Sequence, residues 1–81
     1  MDTYNDNEFD YILLEDGKKM AVEWETLGNR VTGIISFGNL ETKKISEDID
    51  AMGEYYARKS IYIKLEGYAE SVFATRKDLI P

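Results

Sequence analysis

The chain has 81 residues with 16 acidic and 10 basic side chains, a net charge of −6, and neither cysteine nor histidine. A chain of this length forms one domain with a thin core, such as a sheet covered by a helix on one face. Without cysteine or histidine it lacks disulfides, a thiolate nucleophile and the commonest general base, which argues against an enzyme. Small secreted domains often need disulfides, so we expect a cytoplasmic protein.

The negative charge is concentrated at one end of the sequence. Residues 1–16 contain six acidic and no basic side chains, and the other ten acidic and all ten basic side chains cancel within residues 17–81. Residues 1–7 are polar and are expected to fray, and residues 8–81 are expected to form a single α+β domain. This charge repels nucleic acid and anionic lipid and attracts basic protein surfaces. We therefore expect no direct nucleic-acid binding and no membrane association.

Three strands are predicted in the first half of the chain. Apolar and polar residues alternate in three segments, which are residues 9–14, 19–26 and 30–37. Asp16-Gly17 separates the first two segments and Gly28-Asn29 the last two, and both pairs are typical of tight hairpin turns. Strands joined by tight turns predict an antiparallel meander.

One helix is predicted after a short polar connection. Ser46 is a favourable N-cap with acidic residues after it, and Arg58 and Lys59 lie in the last turn, the charge order that a helix dipole favours. Gly53 falls in the middle of this helix and predicts either close packing or a kink. The apolar stripe that would cover the sheet consists of Ile45, Ile49, Met52 and Tyr56.

A fourth strand is predicted at residues 60–66, which alternate again. After Gly67 the pattern fits either an extension of this strand to about Thr75 or a helical face, and the β-forming residues favour the strand. The expected fold is therefore α+β: a three-stranded antiparallel β-meander, one helix packed on the sheet, then a C-terminal strand, or a strand plus a short helix. The expected core is Phe9, Tyr11, Leu13, Met20, Val22, Trp24, Val31, Ile35, Phe37, Ile49, Met52, Tyr56, Ile61, Ile63, Leu65 and Phe73.

Catalytic, metal and cofactor sites are not predicted. The paired carboxylates Glu23 and Glu25 share one strand face with Ala21 and are expected to be solvated rather than to do acid–base work. Residues 2–8 offer oxygen ligands but lack the glycine and the final glutamate of an EF-hand loop. The glycines do not have the spacing of a phosphate-binding loop. We expect no catalytic residue, no metal and no cofactor.

Protein binding is the function that the sequence favours. Acidic side chains on the first strand and its flanks could imitate a phosphate backbone and occupy a basic groove. Tyrosine is enriched at protein interfaces, and four tyrosines, Tyr4, Tyr55, Tyr62 and Tyr68, fall off the predicted apolar stripes. The candidate partner-binding residues are Asp6, Glu8, Asp10, Glu15, Asp16, Tyr55 and Tyr62.

In size, acidity and lack of cysteine and histidine, the chain resembles the small acidic proteins of phages and mobile elements, among them anti-CRISPR and bacteriocin immunity proteins. The expected function is a stoichiometric inhibitor of a basic or nucleic-acid-handling protein. The alternative is a small structural or regulatory homodimer that assembles through exposed edge strands.

Overall fold

Residues 9–14, 17–37 and 41–75 are described by a computed structural model. They form two small antiparallel sheets and a long helix that packs on them. The elements are β1 Tyr11–Leu13, β2 Lys19–Ala21, β3 Glu23–Leu27, β4 Arg30–Phe37, β5 Glu41–Asp48, α1 Ile49–Met52 and α2 Glu54–Thr75. The α+β class, an antiparallel three-stranded sheet and the helix packed on it are confirmed, but the three strands are β3, β4 and β5 rather than the predicted segments 9–14, 19–26 and 30–37.

β1 and β2 form the predicted hairpin. Ile12 lies opposite Met20, and both side chains are buried. At the turn, the Leu14 N–H donates to the Lys18 carbonyl at 2.8 Å, and Gly17 has a φ of 90°, a value that glycine adopts at little cost. The sequence signal for a turn at this position is confirmed.

The predicted second strand is divided at Val22. β2 pairs with β1, whereas β3 pairs with β4. Between them the Val22 N–H donates to the Asp10 carbonyl at 2.9 Å. The inward side of the predicted alternation is nevertheless confirmed, because Met20 and Val22 are buried and Trp24 is half-buried.

β5 is the strand that the sequence did not predict. Its eight residues all pair with β4, where a polar connection and the first turn of a helix were expected. Lys43, Ile45 and Glu47 are half-buried and alternate with four exposed residues. The long aliphatic part of a lysine or glutamate can cover apolar surface, so this face lies against a helix although it holds one apolar residue.

The helical region begins and ends later than the sequence suggests. Asp48, not Ser46, is the N-cap of α1, since its carboxylate accepts the Asp50 N–H at 2.9 Å. Gly53, with φ 84° and ψ 155°, ends α1 and separates it from α2. Of the two alternatives predicted for Gly53, this break agrees with the kink. The prediction of a strand at residues 60–66 is wrong, because this segment lies within α2.

The buried face of α2 explains that error. Its buried residues recur at helical spacing and are Ala57, Ile61, Leu65, Ala69 and Val72. Two of the five are alanines, so the stripe is weakly hydrophobic in sequence. The alternation of Ile61, Ile63 and Leu65 imitates a strand, yet Ile63 is 56% exposed.

α2 packs across the face of β4 that carries Val31, Gly33, Ile35 and Phe37, as the alternation of that strand predicts. Gly33 is the point of closest approach, since a Cβ atom there would lie 2.6 Å from Cγ2 of Ile61.

Several other predicted core positions are corrected by the structure. The prediction reversed the two faces of β1, because Phe9 and Asp10 precede the strand and do not continue its alternation. Ile12 and Leu14 are buried instead of Tyr11 and Leu13. The side chain of Phe73 lies outside the described part of the structure. The residues that prove exposed are Tyr11, Leu13, Met52, Tyr56 and Ile63.

Candidate protein-binding surface

The sheet surface opposite α2, which we call the outer face, is open in the described part of the chain. Odd-numbered residues of β1, β2 and β3 point to this side and are exposed from Tyr11 to Leu27. Across the neighbouring strands, the hydroxyls of Thr32 and Ser46 lie 2.7 Å apart on the same face. The outer face is therefore mainly polar, although Ile34, which lies opposite Glu23 and Lys44, is buried within it.

Three large apolar side chains are exposed on this face, Leu27 at the end of β3 and, together on β1, Tyr11 and Leu13. Tyr11 is 53% exposed and Leu13 is 61% exposed, although both belong to a strand whose other side is fully buried. They lie opposite Ala21 and Lys19 of β2, and the Lys19 ammonium is 5.6 Å from the centre of the Tyr11 ring. Exposed apolar side chains within a polar rim are typical of protein-binding surfaces.

A cavity of about 250 Å³ is lined by residues of the β1–β2 hairpin, β3 and β4, among them Lys19 and Ala21, which lie opposite Leu13 and Tyr11. Leu14, Met20 and Ile34 contribute apolar surface to its wall, and Glu23 and Ser36 contribute polar atoms. β2 belongs to one sheet and β3 and β4 to the other, so the cavity lies where residues of the two sheets meet. It is large enough to receive one side chain of a partner.

Acidic side chains continue from this cavity along β3. Glu23 and Glu25 are both exposed on the outer face, as their alternation with Trp24 predicts. Asp10, directly before β1, is half-buried. The four other acidic candidates, Asp6, Glu8, Glu15 and Asp16, lie outside the described residues.

The N-terminal segment is attached to α2 by an aromatic cluster. Phe9 is buried, and its ring centre lies 5.6 Å from that of Tyr55 and 5.3 Å from that of Tyr62. The Tyr62 hydroxyl donates to the Tyr11 carbonyl at 2.6 Å, and Nε1 of Trp24 donates to the Phe9 carbonyl at 3.1 Å. These contacts fix the position at which β1 begins.

Of the candidate partner-binding residues, the structure describes Asp10, Tyr55 and Tyr62, and Asp10 directly follows Phe9, which both tyrosines contact. Tyr55 and Tyr62 lie half-buried on α2 around Phe9, whereas Glu23 and Glu25 are on the opposite side of the sheet. Within the molecule, Tyr55 and Tyr62 hold the start of β1 in place. Sequence reasoning missed Tyr11 and Leu13 as surface residues, because Ile12 and Leu14 are also apolar and the local pattern does not show which face of β1 is buried.

A second polar cluster lies on the α2 side of the sheet, at the edge formed by β5. One carboxylate oxygen of Glu47 accepts from Nζ of Lys64 at 2.6 Å and from the hydroxyl of Ser60 at 3.3 Å. The Lys64 ammonium, which donates this hydrogen bond, is the main cause that lowers the pKa of the Glu47 carboxyl below its usual range. This cluster joins the edge strand to the helix above it.

In the residues that the structure describes, no three acidic side chains come together as a metal site. None of the described helices is long and apolar enough to cross a membrane. Comparisons with protein-family models, with curated proteins and with solved structures found no match to this chain.

Proposed function

We propose that this protein binds a partner protein with a basic surface through its outer face. The observation that carries this proposal is the exposure of Tyr11 and Leu13 beside a cavity of about 250 Å³, on the same surface as Glu23 and Glu25. Aromatic and aliphatic side chains in the centre of an interface supply most of its binding energy, and surrounding charges supply partner choice and association rate.

The charge distribution supports a basic partner. The six acidic side chains of residues 1–16 carry the net charge of the chain. Within this segment, Phe9 contacts Tyr62 next to the start of β1. Lys18 and Lys19 lie on the same hairpin and offset part of this charge. Carboxylates can neutralise a basic groove as the phosphates of a nucleic acid do. This surface therefore fits an inhibitor that binds the basic groove of a nucleic-acid-handling protein.

The test begins with affinity capture of the partner from the native host. Binding of the captured protein is then measured to the native chain and to two variants. Tyr11→Ser combined with Leu13→Ser removes the apolar centre of the outer face without touching buried side chains. Tyr56→Ser combined with Ile63→Ser removes a similar exposed apolar area from α2 and is the control.

We expect the captured protein to bind the native chain and the α2 variant alike, and to bind the Tyr11/Leu13 variant at least about tenfold more weakly, because truncated hot-spot residues cost about 1–2 kcal/mol or more. Equal affinity of all three proteins would contradict a binding site on the outer face. Thermal melts of the three proteins distinguish lost binding from lost folding.

A further inference from the structure

The edge strand β5 carries a second surface that is independent of the proposed outer-face function. None of the described strands pairs with β5 on the side away from β4, so the backbone N–H and C=O groups of every second residue line this free edge over an eight-residue strand. An unprotected edge of this length is a template for pairing with another strand. The side chains of β5 decide which strand it accepts.

We propose that β5 pairs with β5 of a second copy of this chain, antiparallel and with Ile45 on the two-fold axis. In an antiparallel pair, directly opposite residues both direct their backbone groups either towards or away from each other. A strand that pairs with its own copy must therefore place one residue opposite itself. In the middle of β5 the residues that can take this place are Lys43, Lys44, Ile45 and Ser46.

Charge selects among these four registers. If Lys43 or Lys44 lies on the two-fold axis, it stands opposite the same lysine of the second copy, and this contact of like charges is destabilising. A centre at Ser46 leaves only residues 44–48 paired, because residue 43 would then face α1. A centre at Ile45 pairs residues 42–48 and sets each Lys43 opposite a Glu47, twice in one dimer. This register alone is both long and electrostatically complementary.

The helix above β5 fits the same arrangement. A two-fold axis between antiparallel strands keeps both helices on one side of the joined sheet, and neighbouring strands lie only about 4.8 Å apart. Glu47 contacts Ser60 and Lys64, so this side of α2 lies over β5. Beside it, Tyr56 and Ile63 are 61% and 56% exposed and line a groove of about 310 Å³. The second copy would cover this apolar groove with its own.

Reciprocal charge reversal tests the register. Lys43→Glu places Glu opposite Glu47, and Glu47→Lys places Lys opposite Lys43, so each variant alone should raise the dimer dissociation constant at least about tenfold. In a mixture of the two variants every opposite pair again joins unlike charges, and a heterodimer should form. Lys44→Glu, which faces Ser46 in this register, is the control and should leave the dimer unchanged.

The measurement is light scattering coupled to size exclusion over micromolar to millimolar protein. Because Glu47→Lys also disturbs the contact with Lys64, a second variant keeps the test sharp if that protein does not fold. The chain has no cysteine, so Ile45→Cys introduces one thiol that should form an intermolecular disulfide on oxidation, whereas Lys44→Cys should do so poorly. A native chain that stays monomeric, a dimer that Lys43→Glu leaves intact, or equal cross-linking at positions 44 and 45 would each overturn the proposal.

Discussion

At the scale of single residues, Gly33 determines how closely α2 approaches the sheet. A Cβ atom at this position would lie 2.6 Å from Cγ2 of Ile61, 2.9 Å from Cζ3 of Trp24 and 3.0 Å from Cδ1 of Leu65. The backbone of β4 cannot move away without breaking its pairing on both sides. We therefore expect Gly33→Ala to lower the free energy of unfolding by about 1–3 kcal/mol, the usual cost of overpacking.

Gly67→Ala is the matched control for this prediction. Gly67 lies in α2, and a Cβ atom there would contact nothing within 4 Å. Because alanine is the better helix former, this substitution should stabilise the protein by about 0.5–1 kcal/mol. Urea unfolding of both variants measures the two effects. If both substitutions shift the midpoint in the same direction, the close packing at Gly33 is wrong.

Glu47 gives a prediction that depends on pH. Its pKa is lowered mainly by the hydrogen bond from Lys64, so the charged carboxylate is favoured in the folded state. The resulting stabilisation is complete above the ordinary glutamate pKa of about 4.3 and is lost as pH falls through the lowered pKa. Glu47→Gln should therefore reduce the thermal midpoint at neutral pH, and the difference from the native chain should shrink in acid.

The control for Glu47 is the same substitution in a Lys64→Met background. Without the ammonium group the carboxylate loses the main cause of its pKa shift, so Glu47→Gln should then change the midpoint much less at neutral pH. A difference between native and variant midpoints that is the same at neutral and acidic pH would show that the Lys64 contact does not stabilise the fold.

At the scale of elements, residues 60–66 allow the helix to be distinguished experimentally from the strand that the sequence predicts. In α2 the side chain of Ile61 is fully buried while that of Ile63 is 56% exposed; in a strand the two would share one face. We expect Ile61→Ala to cost about 2–5 kcal/mol and Ile63→Ala to stay within about 0.5 kcal/mol of the native chain. Chemical denaturation measures both, and similar losses for the two variants would restore the strand interpretation.

The elements that could be predicted from the sequence are those with strong local signals. The turns at Gly17 and Gly28, the inward face of β4 and the interruption at Gly53 all follow from turn chemistry or alternation. β5 escaped prediction because its buried positions are Lys43, Ile45 and Glu47, whose inward direction depends on the helix above them. Long-range packing, which no local pattern contains, decided this element.

The candidate surface was predictable only in part. The acidic bias was visible in composition, and the exposure of Glu23 and Glu25 followed from alternation. The exposure of Tyr11 and Leu13 was not, because Ile12 and Leu14 are also apolar and either face of β1 could have been buried. The side that is buried follows from the anchoring of Phe9 between Tyr55 and Tyr62, a contact made 46 or more residues along the chain.

At the scale of the whole molecule, two separate surfaces are available for association. The outer face lies on the side of the sheet opposite α2, and the β5 edge with its helix groove lies beside α2. A dimer formed through β5 would leave the outer face of each copy open and would place the two outer faces on the same side of one joined sheet.

The central claim, that the acidic outer face meets a basic partner, is tested most directly by the salt dependence of the association rate constant with the captured partner. Glu23→Gln with Glu25→Gln removes two exposed charges from the outer face, and Glu66→Gln with Glu70→Gln removes two charges from α2, on the other side of the sheet, as a control. Exposed charges are screened beyond about 8–10 Å at physiological salt, so association of the native chain should slow steeply as salt rises. We predict that the β3 variant associates more slowly at low salt and depends less on salt, while the α2 variant behaves like the native chain. Equal slowing by both variants, or an association rate of the native chain that does not change with salt, would contradict the claim.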